Sequence, residues 1–280
     1  MLKVESVSEM RSYAAQMRAA GKTIALVPTQ GALHAGQEGL IRAAAQKADI
    51  VVVSIFVNPL QFPPNEIVAR YPRSLEADLE LCEKCGVHVA FVPPLEEMYP
   101  KGFSTFVTEE HVAKPLDGIS RPSHFRGVTT VMAKLFNIVN PSLAFFGQKT
   151  AQRAAVVQKM ARDLGYLVDI VVVPTVRERD GLAAGVRNRD LTTAQRLDAV
   201  ALHAALEKAK SMVSSGVRSP DRVVAEATHI LGEHRRIRVI YISIVDPVTL
   251  EPVRDVQAGK AMLALAVWID EIRLVDNALL

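Results

Sequence analysis

The chain has 280 residues, of which 49% are hydrophobic and 22% charged, and its formal net charge is +3. This composition predicts a globular protein with a substantial core. The small net charge and the 5% aromatic content favour neither nucleic acid nor a membrane surface as a partner. The sequence shows neither the apolar run of a signal peptide nor a stretch that predicts a membrane span, so we expect a cytoplasmic protein.

The first part of the chain alternates short β-rich apolar runs with helical patterns. Strands are predicted at 23–29, 49–57, 87–93, 143–147 and 166–175, and helices at 39–48, 74–86, 125–140 and 150–165. The run DIVVVSIFV is almost wholly apolar, as expected of a parallel strand that is buried on both faces. The alternation predicts an α/β fold, a Rossmann-like doubly wound parallel sheet, over residues 1–175.

The pattern changes after residue 175. Helices are predicted at 192–216 and 219–234, and strands at 238–253 and 261–277. We therefore expect a smaller C-terminal α+β domain over residues 176–280. Its first segment, 176–192, is rich in charge and glycine and is predicted to link the two domains.

The two cysteines, Cys82 and Cys85, form a C-x-x-C pattern. A redox pair of this kind would open a helix directly after a strand, and a zinc site would need two further ligands nearby. Here both thiols fall inside a helical pattern that ends at Gly86. We predict reduced, structural cysteines and no metal site.

Polar residues follow three of the predicted strands, at the edge where an open α/β sheet binds its ligands. The first strand ends at Pro28 and Thr29 and leads to His34 and Gly36 at an apparent helix start. Gly36 would let a ligand approach the backbone, and a helix N-terminus suits phosphate. The alternative is that His34 is a helix cap or a surface residue.

The other two strand ends carry amide and lysine side chains. Asn58 and Gln61 follow the second strand and could bind hydroxyls or a carboxylate, although Asn-Pro also commonly begins a turn. Lys149 follows Gly147 and could neutralise phosphate charge in a transition state, or it is a solvated lysine. Arg187, in the linker, could reach back as a mobile phosphate clamp, or it lies on the surface.

Several longer segments carry a family resemblance. They are SIFVNPLQF with RYPRSLEADL, SRPSHFRGVTTVMAKLFNIVNP with AFFGQK, PTVRERDGLA with RN, and VDPVTLEPV with RLVDN. Together they resemble the pantothenate synthetase (pantoate–β-alanine ligase) family over essentially the whole chain. The resemblance implies a nucleotidyltransferase domain, a C-terminal domain that acts as a lid, and a homodimer.

The resemblance also implies a two-step reaction and its site. ATP and pantoate, with Mg²⁺, would give pantoyl adenylate and pyrophosphate, and the amine of β-alanine would then release AMP. The catalytic residues would be His34, Lys149 and Arg187, with Arg187 in the lid. The nucleotide would lie on Pro28, Thr29, His34, Gly36, Gly147, Lys149 and Val176. Pantoate would be held by Asn58 and Gln61.

Departures from the family's motifs fall within these same segments. They are Gln30 for Met, Gln37 for His, Glu38 for Leu, Thr150 for Asp, Arg153 for Gln, and Ala184, Gly185 and Val186 for Met-Ser-Ser. In addition, QFPPNEI stands where the family has QFGPNED. Because the flanking scaffold matches the family, the chain is either a natural relative that lost or changed its substrate, or a scaffold whose pocket was rebuilt. The mixture of lost hydroxyls and new polar groups favours repurposing over decay.

These departures lead to three expectations. Native turnover should be impaired, because Gln37 lacks the charge of an imidazolium and one lost donor costs on the order of 10²–10³ in rate. In the alternative, the cleft binds or transforms another small molecule. Glu38 would then serve as a general base if burial raises its pKa, or it would simply face solvent. Arg153 lies four residues after Lys149, so on a helix the two side chains would share a face. We therefore expect the cleft to bind an anion; the alternative is that Arg153 points outward to solvent.

Overall fold

The computed structural model describes residues 1–62, 72 and 74–280. The replacements in QFPPNEI at Pro63 and Ile67, and the start of RYPRSLEADL, lie outside the described residues. The described part contains a six-stranded parallel sheet with helices and a separate three-stranded antiparallel sheet. The predicted α/β class, with a smaller α+β unit at the C-terminus, is confirmed.

The large sheet contains six strands in the order β1-β4-β3-β2-β5-β6, all parallel. They are β1 (Leu2–Val4), β2 (Ile24–Thr29), β3 (Ile50–Ile55), β4 (Val89–Phe91), β5 (Leu143–Gly147) and β6 (Asp169–Val173). The helices between them are α1 (Val7–Ala19), α2 (Ala35–Ala45), α3 (Leu75–Lys84), α4 (Leu95–Met98), α5 (Asp117–Ser120), α6 (His124–Val139) and α7 (Ala151–Asp163).

Side chains of the central strands pack into a hydrophobic cluster on each face of the sheet. In β2, Ile24 and Leu26 belong to one cluster, whereas Ala25 and Val27 belong to the other. Every residue of β3 is buried. This two-sided burial explains why these strands appear in the sequence as continuous apolar runs rather than as alternating ones.

The C-terminal unit has three helices and three strands. They are α8 (Thr193–Ala199), α9 (Ala201–Ser214), α10 (Pro220–Gly232), β7 (Ile237–Val245), β8 (Met262–Ile269) and β9 (Ile272–Leu279). The single helix predicted at 192–216 is therefore two helices that meet at Val200. The strand predicted at 261–277 is a hairpin, which turns at Asp270 with a φ of 50°, a left-handed conformation that aspartate tolerates.

The strand order places a topological switch point between β2 and β5. From β2 the chain passes to β3 on one side, and it later returns to pair β5 on the other side. The C-terminal sheet is tied to this region, because Asn277 Nδ2 donates to the carbonyl oxygens of Gln148 (2.7 Å) and Lys149 (3.1 Å). None of the helices in the described ranges is both long enough and apolar enough to span a bilayer.

Candidate active site

A cleft of about 880 Å³ opens at the carboxyl ends of β2 and β5. Most of the site residues predicted from the sequence lie on its wall. They are Pro28, Gln30, His34, Gly36, Gln37, Gln61, Gly147, Lys149, Thr150, Arg153, Val176, Ala184, Gly185, Val186 and Arg187. Segments that are distant in the sequence thus converge, as parallel strands predict.

The wall has two ends, which differ in chemistry. We call the "Lys149 end" the part formed by His34, Gly36, Gln37 and Lys149 together with residues 184–187. We call the "Gln61 end" the part formed by Gln30, Gln61 and Arg153 with their neighbours.

At the Lys149 end, His34 caps the N-terminus of α2. Its Nδ1 accepts a hydrogen bond from the Gly36 backbone N–H (3.1 Å), and Gln37 Oε1 accepts one from the His34 backbone N–H (3.0 Å). This reciprocal capping box stabilises a helix start. A side-chain carbon at Gly36 would lie 2.8 Å from His34 Cε1, so glycine allows the ring to fold back. The predicted alternative for His34, a helix cap, is therefore what the structure shows.

His34 is neutral at physiological pH. Burial lowers its pKa to about 4, and repulsion from Lys149 and Arg189 adds to the effect. Since Nδ1 accepts a hydrogen bond, the neutral ring carries its proton on Nε2. Neither His34 nor Gln37 therefore offers a positive charge to a phosphate.

Lys149 is held by the backbone of the segment that follows β6. Its Nζ donates to the carbonyl oxygens of Ala183 (3.1 Å) and Ala184 (3.0 Å). Burial lowers its pKa to about 8, against the attraction of Asp276 and Glu178. A side-chain carbon at Gly185 would collide with Lys149 Nζ, so the missing side chain at Gly185 is what permits this contact.

The segment 176–190 is itself ordered by its own hydrogen bonds. The Ala184 N–H donates to the carbonyl oxygen of Val176 (2.9 Å), and Asn188 Nδ2 donates to that of Ala183 (3.0 Å). Arg187 lines the cleft and lies 3.8 Å from Asp190 in a pair in which both side chains are about 40% exposed. Arg187 is thus positioned at the mouth of the cleft.

At the Gln61 end, two amide side chains face each other. Gln30 Nε2 donates to Gln61 Oε1 at 2.6 Å. The Gln61 backbone carbonyl is fixed in turn by His124 Nδ1 (2.9 Å) and Arg121 Nη2 (3.1 Å). These contacts hold the Gln61 side chain, which is only 6% exposed, at the wall of the cleft.

Two residues that the sequence predicted at the site, Asn58 and Thr29, do not line the cleft, because their side chains lie behind its wall. The Asn58 amide donates to the Gly127 carbonyl (2.9 Å) and accepts from Tyr99 Oη (3.0 Å) and the Leu60 N–H (3.2 Å). The Thr29 hydroxyl donates to the Ser54 carbonyl at 2.8 Å. Asn58 is 1% exposed, so it caps the turn that carries Gln61 rather than contacting a ligand through its amide.

Glu38 also lies away from the cleft. Its Oε1 accepts from Nε (2.9 Å) and Nη2 (2.7 Å) of Arg42, one turn further along α2. The prediction that Glu38 serves as a general base in the cleft is therefore wrong, and the alternative of an outward-facing glutamate holds. A first-turn glutamate four residues before an arginine is sufficient to explain the pair.

Arg153 lies on the cleft wall, next to residues that the sequence did not indicate. It shares the wall with Arg121, His124 and Arg273. Burial lowers the pKa of His124 to about 3, and repulsion from Arg121 and Arg153 contributes. His124 and Arg121 lie in a segment quoted for the resemblance, but a buried histidine with one carbonyl partner has no sequence signature.

The two cysteines lie at the C-terminal end of α3. Cys82 and Cys85 are both free and buried, and burial raises the pKa of the Cys82 thiol to about 12. Within residues 1–62, 72 and 74–280, no three His, Cys, Asp or Glu side chains gather closely enough to hold a metal ion.

A doubly wound parallel sheet with a cleft at its switch point, a helix N-terminus and a half-buried lysine defines an α/β protein of the class that binds nucleotides and small substrates at this edge. Comparison with known proteins is more specific. The family model described as pantoate-beta-alanine ligase matches residues 3–279. The chain belongs to the pantoate–β-alanine ligase family.

Relatives and solved structures agree over nearly the full length. Pantothenate synthetase from Moorella thermoacetica is 47% identical over 277 residues, covering 99% of this chain and 98% of the relative. The crystal structure of the Thermus thermophilus enzyme has a TM-score of 0.94 at 41% identity, covering 99% of both chains. The Francisella tularensis enzyme, solved with beta-gamma ATP and beta-alanine, has a TM-score of 0.82 at 28% identity, covering 100% of this chain and 97% of that one.

Proposed function

We propose that the chain condenses pantoate with β-alanine, through pantoyl adenylate and at the expense of ATP. The observation that carries the proposal is the single cleft that joins the Gln30–Gln61 amide pair to Lys149 at the switch point of the sheet. An acid bound at the Gln61 end would present its carboxylate to a nucleotide whose phosphates lie at the Lys149 end.

Each of the two steps forms one bond and breaks another. A carboxylate oxygen of pantoate attacks the α-phosphorus of ATP, the bond to the pyrophosphate oxygen breaks, and pyrophosphate leaves. The amine nitrogen of β-alanine then attacks the acyl carbon, loses a proton, and displaces AMP. Most of this catalysis is positioning and electrostatic stabilisation of phosphate charge.

The side chains of this chain would divide that work. Lys149, when its charge is released from the carbonyls of Ala183 and Ala184, would neutralise the phosphates. Gly147 and Gly36 would let the nucleotide approach the backbone, and Arg187 would close over the mouth of the cleft. Mg²⁺ would be held through the ATP phosphates, retained waters and at most one or two carboxylates rather than by a dedicated set of protein ligands.

We further propose that native turnover is slow. Two of the three N–H donors of Lys149 are held by backbone carbonyls, Gln37 is occupied as a helix cap, and positions 185 and 186 carry no hydroxyl. If Lys149 turns fully toward a phosphate, it exchanges existing hydrogen bonds for new ones, and the net gain is small. The departures at this end would therefore lower the rate without altering the fold.

Isotope transfer tests the proposed mechanism directly. Pantoate labelled with ¹⁸O in its carboxylate should transfer one labelled oxygen to AMP in each turnover, because that oxygen bridges the acyl and phosphoryl groups of the adenylate. A Lys149→Ala variant run in parallel should form no labelled AMP above background. Unlabelled AMP from the wild-type chain would contradict an acyl adenylate.

The assembly and the lid are part of the same proposal. The homodimer and the closing motion of residues 176–280 over residues 1–175 are implied by the resemblance, and the scaffold outside the cleft matches the family closely. Light scattering should give a mass twice the 30.5 kDa of one chain. A monomer at micromolar concentration would contradict the dimer.

A second candidate function is that the cleft has been repurposed, naturally or by design, for a different small molecule. One observation favours it: Arg153, which stands where the family has a neutral glutamine, lies on the cleft wall. A cation at that point changes which ligand the Gln61 end accepts.

A further inference from the structure

An asparagine of the C-terminal sheet holds the backbone from which the Lys149 side chain extends. Asn277 on β9 donates through Nδ2 to the carbonyl oxygens of Gln148 (2.7 Å) and Lys149 (3.1 Å), and its Oδ1 accepts from Gln148 Nε2 (2.8 Å). These partners settle the orientation of the amide, because a carbonyl oxygen can only accept. One side chain therefore fixes two consecutive residues directly after β5.

The backbone at this point is a short turn. Gln148–Thr150 forms a 3₁₀ turn that joins β5 to α7, with Lys149 in its middle. Hydrogen bonds within a 3₁₀ turn have poorer geometry than those of an α-helix, so a side chain that also donates to its carbonyl oxygens holds it more firmly. The direction in which the Lys149 side chain leaves the turn thus depends on Asn277.

The residue before Asn277 is a buried carboxylate. Asp276 accepts from Arg177 Nη1 (2.7 Å) and Nη2 (3.2 Å), and its Oδ1 accepts from the Asn277 N–H (2.8 Å). Arg177 Nη1 also donates to the Gly181 carbonyl (3.0 Å), within the segment that follows β6. The backbone carbonyls of that segment hold Lys149 Nζ. Strand β9 is therefore connected both to the backbone of Lys149 and to the segment that holds its ammonium.

Asp276 also acts on Lys149 through its charge. The charged and titratable groups around Lys149 are Asp276 on β9, Arg177, Glu178 and Arg187 after β6, His34 at the start of α2, and Arg153 on α7. Burial lowers the pKa of Lys149 to about 8, and attraction to Asp276 is the largest opposing effect. The Asp276 side chain is 2% exposed and that of Glu178 is 35% exposed, so solvent screens the attraction of Asp276 less.

We propose that Asp276 and Asn277 are positioning residues for the adenylation reaction, which fix the backbone and the ammonium of Lys149 at the place where the phosphates bind. Neither of them lines the main cleft, so they act through Lys149 rather than on the nucleotide or the acid. The inference rests on the proposed function, because it concerns the cation that the proposed function places beside the phosphates. A displacement of about 1 Å at such a group can cost on the order of 10²-fold in rate.

Pantoate-driven ATP–pyrophosphate exchange tests the role of Asn277. Asn277→Leu keeps the approximate size of the side chain but removes its hydrogen bonds, and should slow exchange about 10- to 100-fold at saturating substrates. The KM for pantoate should change less than about 2-fold, because the Gln61 end is not altered. Gln148→Ala removes only the bond to Asn277 Oδ1 and should keep the rate within about 3-fold. A loss of pantoate affinity as large as the loss of rate would overturn the inference.

Two further variants keep this test decisive. Asn137→Ala changes an exposed asparagine on α6, which donates to Tyr166 Oη at 3.3 Å, and should exchange as the wild type does. Asn277→Ser keeps one donor and should give an intermediate rate if Asn277→Leu does not fold.

The pH dependence of ATP affinity tests the role of Asp276. Asp276→Asn keeps the shape of the side chain but removes its charge, which should lower the pKa of Lys149. The pH at which ATP affinity falls should therefore move down by about 0.5 to 1 unit. Glu226→Gln removes a carboxylate that pairs with Lys208 on the surface and should not move it. The same midpoint in Asp276→Asn and wild type would overturn the role of Asp276.

A paired variant covers the case in which Asp276→Asn does not fold. Asp276→Asn combined with Arg177→Gln removes both charges of the pair, so neither is left buried alone. Because the attraction of Asp276 for Lys149 exceeds the repulsion from Arg177, the midpoint should still move to lower pH.

A double-mutant cycle separates this inference from the proposed function. In a Lys149→Ala background, Asn277→Leu should slow exchange less than about 2-fold further, because the group that it positions is gone. The same factor in both backgrounds would overturn the inference and leave the ligase function intact.

The absence of pantoate-driven exchange in the wild type would contradict the proposed function, and ATP affinity would then decide the inference. Asn277→Leu should weaken ATP binding about 10-fold in the wild-type background and less than about 2-fold in Lys149→Ala. Equal weakening in both backgrounds would overturn the inference.

Discussion

The two ends of the cleft differ in how their polar side chains are hydrogen-bonded. At the Gln61 end, Gln30 and Arg153 turn toward the cleft, and one buried oxygen of Gln30 has no partner among the described residues. At the Lys149 end, Gln37 is bonded to His34 and Lys149 to backbone carbonyls. One end therefore contains a polar atom without a partner among the described residues, whereas the side chains of His34, Gln37 and Lys149 at the other end are all hydrogen-bonded.

This contrast shows how local hydrogen bonding competes with function. A polar group that is already bonded inside the protein gains little from a ligand, because one bond is exchanged for another. A buried polar atom without a partner, such as Gln30 Oε1, gains the whole interaction once a movement of its side chain exposes it to a ligand. Variants at the Lys149 end and on α2 test whether this difference controls binding and turnover.

Removing Lys149 should have the largest effect. Lys149→Ala should lower the rate of adenylate formation on the order of 10²–10³, because it removes the charge that the proposed function places beside the phosphates. Lys159→Ala, which breaks a surface pair with Asp163 on the same helix, is the matched control and should retain wild-type activity. Equal rates for Lys149→Ala and wild type would place the phosphates elsewhere.

The pH dependence of ATP binding should follow Lys149. Its pKa of about 8 lies below the usual 10.5, so it is charged below pH 8 and neutral above. ATP affinity should fall about 10-fold between pH 7 and pH 9 as the charged fraction falls. The effect of pH on folding has the opposite sign. Between pH 8 and pH 10.5, Lys149 is more protonated in the unfolded chain than in the folded one, so its contribution to the free energy of unfolding rises with pH. Titration calorimetry across this range, with Lys149→Ala showing no such fall, checks the assignment.

A side chain at position 185 should release Lys149. Gly185→Ser places a side-chain carbon too close to Lys149 Nζ, which should push the ammonium off the carbonyls of Ala183 and Ala184. Because about 1 kcal/mol of hydrogen bonding between Lys149 and these carbonyls would no longer compete with the phosphates, ATP affinity should rise about 5-fold. Gly232→Ser has open space around it and serves as the control. Unchanged affinity in Gly185→Ser would show that the carbonyl contacts do not limit binding.

The smallest effect is expected at Glu38. Glu38→Gln removes an exposed i,i+4 pair with Arg42, which contributes about 0–1 kcal/mol to stability. Steady-state rates should change less than about 2-fold, because the carboxylate faces away from the cleft. A large loss of activity with an unchanged melting temperature would restore Glu38 as a candidate base.

The sequence predicted the sheet well because its signals are local. The almost wholly apolar β3, the glycine that ends β5 and the lysine that follows it are each visible in a single segment of sequence. Because the carboxyl ends of parallel strands meet at one edge of the sheet, these residues are then expected at one cleft. The short β1 and the polar helix α1 were missed. β1 has three residues, and α1 buries only Met10 and Ala14, which is too few for a periodic pattern.

The site was harder to predict, because side-chain direction depends on distant partners. Asn58 turns inward to bond Gly127 and Tyr99, and His124 reaches the Gln61 carbonyl. Arg273 reaches the wall of the cleft from β9, which is distant in the sequence from Arg153 on α7. The sequence gives the residue types at the sheet edge, but only tertiary packing decides which of them face the ligand.

The most direct test of the account restores the Lys149 end alone. Wild type and a variant with Gln37→His, Gly185→Ser and Val186→Ser are compared for AMP formation from saturating ATP, pantoate and β-alanine. We predict that the restored variant turns over about 100-fold faster or more, because the groups that meet the phosphates are returned together. A wild-type rate near one per second, ordinary for an enzyme, with no gain on restoration, would contradict the account.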